Sequence, residues 1–118
     1  MRPIFVGIPV LNRLDLLVRS LDAVDLPADV VIVNNNTLSP GFDEELRALA
    51  LKRRLTVWKP ERNLGVAGSW NLLLRLGLGW GYERVFLGSN DTFLFPGALA
   101  QAEARAAAAA EDEVIWHV

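Results

Sequence analysis

The sequence predicts an α/β fold, a three-layer α/β/α domain around a mostly parallel sheet of about five strands. Short apolar runs alternate with longer segments of helical periodicity, which is the pattern of repeated βαβ units. The runs are apolar throughout instead of alternating, as strands covered on both faces are. Right-handed crossovers would lay helices on both faces of such a sheet.

The elements follow in order. Residues 3–9 (PIFVGIP) form a short apolar run closed by a proline and read as a buried strand. Leu14, Leu17, Val18, Leu21 and Val24 then recur at helical spacing, with Asn12 as the expected N-cap and Asp15 in the positive first turn. Residues 30–33 (VVIV) give a second buried strand. Phe42, Leu46, Leu49 and Ala50 mark a second helix, with Pro40 near its start. Residues 55–58 (LTVW) are the third strand. Residues 66–78, carrying Trp70, Leu73, Leu74 and Leu78, are the third helix. Residues 84–87 (RVFL) are the fourth strand. Pro96 opens an alanine-rich fourth helix running to residue 110, and residues 113–117 (EVIWH) are the last strand.

Composition sets the bounds. With 118 residues the chain is expected to be one domain, residues 1–118, and 52% hydrophobic content supplies a core. The formal net charge is −2, from 12 basic and 14 acidic residues spread along the chain, so no nucleic-acid partner is expected. No cysteine and a single histidine, His117, exclude disulfides, thiolate metal sites and a multi-histidine zinc site. The apolar N-terminal run is broken by Gly7 and Pro9, too short for a leader or a membrane segment, and a cytoplasmic location is expected.

Polar residues gather at one edge. Ligands of open α/β sheets bind outside the carboxyl ends of the strands. The loops there are 9–13, 34–41, 59–66 and 88–95. Of the seven asparagines, Asn12, Asn34, Asn35, Asn36, Asn63 and Asn90 fall in these loops, and Asn71 lies in the helix after the third. The opposite loops hold none. Asparagine favours turns anyway, but that does not explain its bias to one edge.

Three other features carry less. Gly77, Gly79 and Gly81 look like a phosphate loop but end a helix and precede a strand, so they read as a helix stop. Asn63-Leu-Gly65-Val-Ala-Gly68 follows a strand and enters a helix, which suits either backbone approach to a ligand or a tight turn. Asp91 is the one carboxylate after the fourth strand. It suits Mg²⁺ or Mn²⁺ shared with substrate phosphates, or a plain turn.

Taken together, four segments resemble family 2 glycosyltransferases in order and spacing. Ile8-Pro9-Val10-Leu11-Asn12-Arg13 is similar to their I-P-x-Y-N-R start, and Val31-Ile-Val33-Asn34-Asn35-Asn36-Thr37 to V-V-D-N-x-S. Arg62-Asn63-Leu64-Gly65-Val-Ala67-Gly68 resembles E-N-L-G-x-A-G. Leu87-Gly-Ser89-Asn90-Asp91-Thr92, followed by Phe95-Pro96-Gly97-Ala98-Leu99, resembles L-N-D-D-T and then x-P-G-A-L.

The resemblance implies the Rossmann-like, nucleotide-sugar-binding half of the GT-A fold, without the half that holds the acceptor. It implies a nucleoside diphosphate sugar as partner, with Pro9, Leu11 and Asn12 beside the nucleoside and Asn34 at the base. Asn36, Asn63, Gly65, Ala67, Asn71 and Asn90 would complete the nucleotide-sugar site, and Asp91 would hold Mg²⁺ or Mn²⁺. Asn34 stands where the family has an aspartate, and Ser89-Asn90-Asp91 keeps one charge where two are common. No residue is identified for the general base of sugar transfer, so a non-catalytic binding or interaction module is the alternative. Self-association, or a partner chain, is expected on the apolar surface that a missing half would cover.

Overall fold

The computed structural model describes residues 4–36, 38–90 and 97–108. Eight elements alternate along the chain: β1 (Ile4–Val10), α1 (Leu14–Asp22), β2 (Ala28–Asn34), α2 (Phe42–Arg53), β3 (Thr56–Trp58), α3 (Gly65–Gly79), β4 (Val85–Leu87) and α4 (Ala98–Ala108). The sheet is four-stranded and parallel throughout, in the order β3-β2-β1-β4. The expected strand over 113–117 and the start of the fourth helix at Pro96 lie outside the described residues.

Sequence pattern explains the layering. All seven residues of β1 are buried, as a central strand with a neighbour on each side and helices on both faces requires. Its side chains alternate between two cores. Ile4, Val6, Ile8 and Val10 join Ile32 of β2 against Leu17 and Leu21 of α1, Phe42 and Leu46 of α2, and Leu99 of α4. Phe5 joins Val31 and Val33 of β2 against Leu73 of α3 and Tyr82. So α1, α2 and α4 cover one face and α3 the other.

Two glycines set how closely α3 approaches. A Cβ on Gly7 would meet the Leu73 side chain at 3.0 Å, and one on Gly77 would meet Val85 Cγ2 at 2.7 Å and the Phe5 ring at 3.2 Å. Gly77 is thus part of helix packing, while the chain leaves the helix at Trp80 and turns at Gly81 with φ 89°. The helix-stop reading of this glycine cluster describes Gly81, and Gly77 serves packing.

One expected cap is corrected. The residue before α1 is Arg13, in the left-handed region with φ 58°, and no side chain caps the helix. Asn12 lies one position too early to serve. Asp15 does sit in the first turn, where Arg13 grips it through Nε and Nη2 at 2.9 and 2.8 Å. That pair holds the exposed Asp15 carboxyl down to about 2.

Candidate functional site

The strand order places a topological switch between β1 and β4. The chain moves outward through β2 and β3, then crosses back under the sheet by α3 to β4. The strand order reverses there, and α/β sheets of this kind bind ligands outside the carboxyl ends of the strands at such a point. Every loop at this edge is tied to another by an asparagine.

Asn36 holds the β1 loop. Its Nδ2 donates to the Leu11 carbonyl at 2.5 Å and to Ser39 Oγ at 3.3 Å, and its Oδ1 accepts from the Leu38 and Ser39 amides at 3.2 and 2.9 Å. Asn35 holds the β3 loop and α3. Its backbone N–H continues the ladder to Val10 O at 2.7 Å. Its Oδ1 accepts from the Leu64 amide at 3.1 Å, and its Nδ2 donates to Ser69 Oγ at 2.7 Å. Ser69 passes the bond on to Gly65 O at 2.6 Å. Asn90 holds the β4 loop to the β1 loop, donating to Asn12 O at 2.7 Å, while its own carbonyl accepts from Ser20 of α1 at 3.1 Å.

Asn34, Asn35 and Asn36 are all buried. Buried amides need partners, and these have them. Asn34 Oδ1 accepts from the Asn36 amide at 2.9 Å, and its Nδ2 donates to Asp43 Oδ1 at 2.8 Å. Asp43, in the first turn of α2, is also paired with Lys59. Lys59 first, then Asn34, hold the Asp43 carboxyl below the usual carboxylate range, against a smaller opposing effect of burial.

The remaining residues of the predicted site divide by exposure. Pro9 is buried in β1, while Leu11 and Asn12 are exposed after it. Asn63 is exposed and its Oδ1 accepts from the Gly65 amide at 2.8 Å, so it shapes the entry to α3. Gly65 has φ 69° with open space where a Cβ would be, so its backbone conformation and not crowding calls for glycine. Ala67 and Asn71 are exposed on the first turns of α3. Asn90 is half-buried, and Asp91, which follows it, lies outside the described residues. Among the described residues no group of three or more histidine, aspartate or glutamate side chains could hold a metal.

Three contributors were absent from the sequence analysis, Asp43, Lys59 and Ser69, and a fourth, Trp70, was read there only as part of the third helix. Trp70 donates from its indole nitrogen to Gly88 O at 3.0 Å, bracing the β4 loop from α3. Asp43 is one of three acids in the first turn of α2, and nothing local marks it from Glu44 and Glu45. Ser69 is the one hydroxyl within α3, a signal that was available.

No family model matches the sequence, and no curated protein matches it. Solved structures do. The mannosyltransferase PcManGT from Pyrobaculum calidifontis, determined in complex with GDP-Man and Mn²⁺, superposes with TM-score 0.70 at 25% identity, over 87% of this chain and 32% of that one. S. aureus TarS, residues 1–349, superposes with TM-score 0.62 at 20% identity over the same shares. The chain therefore spans about a third of the length of each of these structures. No helix among the described residues is long and apolar enough to cross a membrane. The chain shares with part of these structures an α/β, Rossmann-like fold.

Proposed function

We propose that the chain binds a nucleoside diphosphate sugar at the carboxyl edge of β1 and β4, as the nucleotide-binding half of a GT-A glycosyltransferase. The observation that carries this reading is the stitching of all four loops at the switch point, on a fold shared with a mannosyltransferase that binds GDP-Man and Mn²⁺. A polyanionic ligand with a heterocycle needs a rigid edge with donors and little side-chain bulk. Gly65, Ala67 and the exposed start of α3 provide a positive helix end for phosphate. Leu11, exposed after β1, would give an apolar surface for a base or ribose, and Asn12, Asn63, Asn71 and Asn90 would supply amide contacts.

Within this proposal Asn34 and Asn36 set the base end of the site. An amide at position 34 lacks the charge of the family's aspartate. Asp43 restores a carboxylate one hydrogen bond away, at 2.8 Å. Asp91 would hold Mg²⁺ or Mn²⁺, with diphosphate oxygens completing the coordination. When bound, the cation would neutralise diphosphate charge; the chain's own groups bind and orient the nucleotide.

One observation favours a second reading, binding without transfer. A general base works best with a pKa near the operating pH. Asp15 and Asp43, near the starts of α1 and α2, are both ion-paired and held below the ordinary range, and Glu44, Glu45 and Glu61 of the same region stand exposed to solvent. Calorimetry with UDP-, GDP- and dTDP-sugars, with and without Mn²⁺, followed by assay for released nucleotide, separates the two. Binding with release supports a transferase, and binding alone supports the module. No binding by any nucleotide sinks the site.

A further inference from the structure

Asn34 ends β2, Lys59 follows the last residue of β3, and Asp43 lies in the first turn of α2, so all three stand at the carboxyl edge of the sheet. Asn34 has almost no surface to offer a ligand. It is 3% exposed, its Oδ1 accepts from the Asn36 amide at 2.9 Å, and its Nδ2 donates to Asp43 Oδ1 at 2.8 Å. Asp43 and Lys59 differ from it, with side chains 46% and 42% exposed. The buried amide fixes Asp43 Oδ1, and the Lys59 ammonium is paired with Oδ2. The polar groups therefore run in a set order: Lys59 Nζ, Asp43 Oδ2, Asp43 Oδ1. That is one donor followed by two acceptors.

We propose that Asp43 and Lys59 read the base of the nucleotide and select guanine. The assignment rests on the nucleotide-sugar reading of this same edge and names its base. Guanine presents O6, N1–H and N2–H in turn along its pairing edge, one acceptor followed by two donors. The ammonium meets O6, and the two carboxylate oxygens take the two N–H groups. Uracil and thymine have one N–H between two carbonyls, so one carboxylate oxygen would face a carbonyl oxygen. Adenine and cytosine set an amino group beside a bare ring nitrogen, which a carboxylate oxygen repels. Guanine alone satisfies both oxygens.

The pair is free to do this. Each carboxylate oxygen has two lone pairs and spends one on Asn34 or Lys59, so acceptor capacity remains. Exposed ion pairs are weak, and Lys59 can turn toward a base carbonyl at little loss. Lys59 first, then Asn34, hold the Asp43 carboxyl below the usual carboxylate range, so it is an acceptor at neutral pH. Asn34 is the positioning residue, and Asp43 makes the contact.

Calorimetry with GDP, IDP, UDP and ADP, each with Mn²⁺, tests the assignment. IDP is GDP without its 2-amino group, so it removes the N2–H donor alone. GDP should bind at least about tenfold more tightly than IDP, UDP or ADP, because a site built to bond a donor rejects the analogue lacking it. Asp43→Ala, checked for native circular dichroism, should bring GDP down to the level of IDP. Lys59→Met should weaken GDP and IDP alike, since both carry O6, and keep their ratio. Should Asp43→Ala not fold, the ratio in the unsubstituted chain and its persistence in Lys59→Met still decide. Nucleotides that bind without preference for GDP over IDP overturn the assignment and leave the binding edge standing. A preference that survives Asp43→Ala overturns it too. If no nucleotide binds, the assignment and the binding edge fall together.

Discussion

Asn34, Asn35 and Asn36 are neighbours in sequence but reach in three directions: to α2, to α3 and the β3 loop, and to the β1 loop. Asn35 spans the largest gap, bonding Ser69 thirty-four positions on. Its removal takes the acceptor from the part-buried Leu64 amide and one of two partners from the buried Ser69 hydroxyl, which keeps Gly65 O. Asn35→Ala should cost about 1–3 kcal/mol, the range for buried polar groups left without partners. Urea unfolding should show a lower midpoint with unchanged slope. That an asparagine cluster sits at this edge was legible in the sequence. Which of the amides tie loops together was not, because their partners come from other elements.

Asp43 shows the same limit. As a first-turn acid it needed no explanation; beside Lys59 and Asn34 it becomes the charge nearest position 34. Its folded pKa is lowered, so its contribution to stability is fully present above the unfolded value near 3.8. That contribution fades as pH falls through the lower folded value. Since Lys59 is the first cause, Lys59→Met should raise the Asp43 pKa toward 3.8, read by NMR titration of its carboxyl carbon. An unmoved titration would show that the pair does not form in solution. The stability effect should be small, as both side chains are more than a third exposed.

At the scale of elements, periodicity and apolar runs located all four described strands and helices, with ends shifted by one or two residues. The start of α1 is the exception. A rule of side-chain caps chose Asn12, while the chain uses Arg13 in a left-handed conformation and spends the Asn12 carbonyl on Asn90. Close packing was also hidden. A glycine near a helix end looks like a stop, and only the sheet beneath shows that Gly77 makes room for Val85 and Phe5. Gly77→Ala tests which role governs. Helix propensity alone would make it stabilising by about 1 kcal/mol. Overpacking a site where Cβ meets carbon at 2.7 Å costs about 1–3 kcal/mol. The packing cost should win, giving a net loss by thermal unfolding. Gly79→Ala, with open space at its Cβ, should show the propensity gain instead.

For the whole molecule, the four-way stitching makes ligand binding and folding one problem. The loops that would touch a nucleotide are the loops whose bonds join α1, α3, β1 and β4. A ligand that binds this edge only in the folded chain stabilises it by about 2.7 kcal/mol at a hundred times its dissociation constant. For a domain of this size that is a rise of roughly 10 °C in Tm. The rise should appear with a nucleoside diphosphate sugar. Asn90→Ala frees the β4 loop from Asn12 O and should reduce that rise as well as the starting Tm, whereas a merely structural bond would lower the starting value alone. Leu78→Lys is the control. It sits at the far end of α3, about 20 Å from Gly65 at 1.5 Å per residue, so it should leave the ligand-induced rise intact. An Asn90→Ala chain with the full rise would separate the β4 loop from the binding edge and leave β1, β2 and β3 to form the site without it.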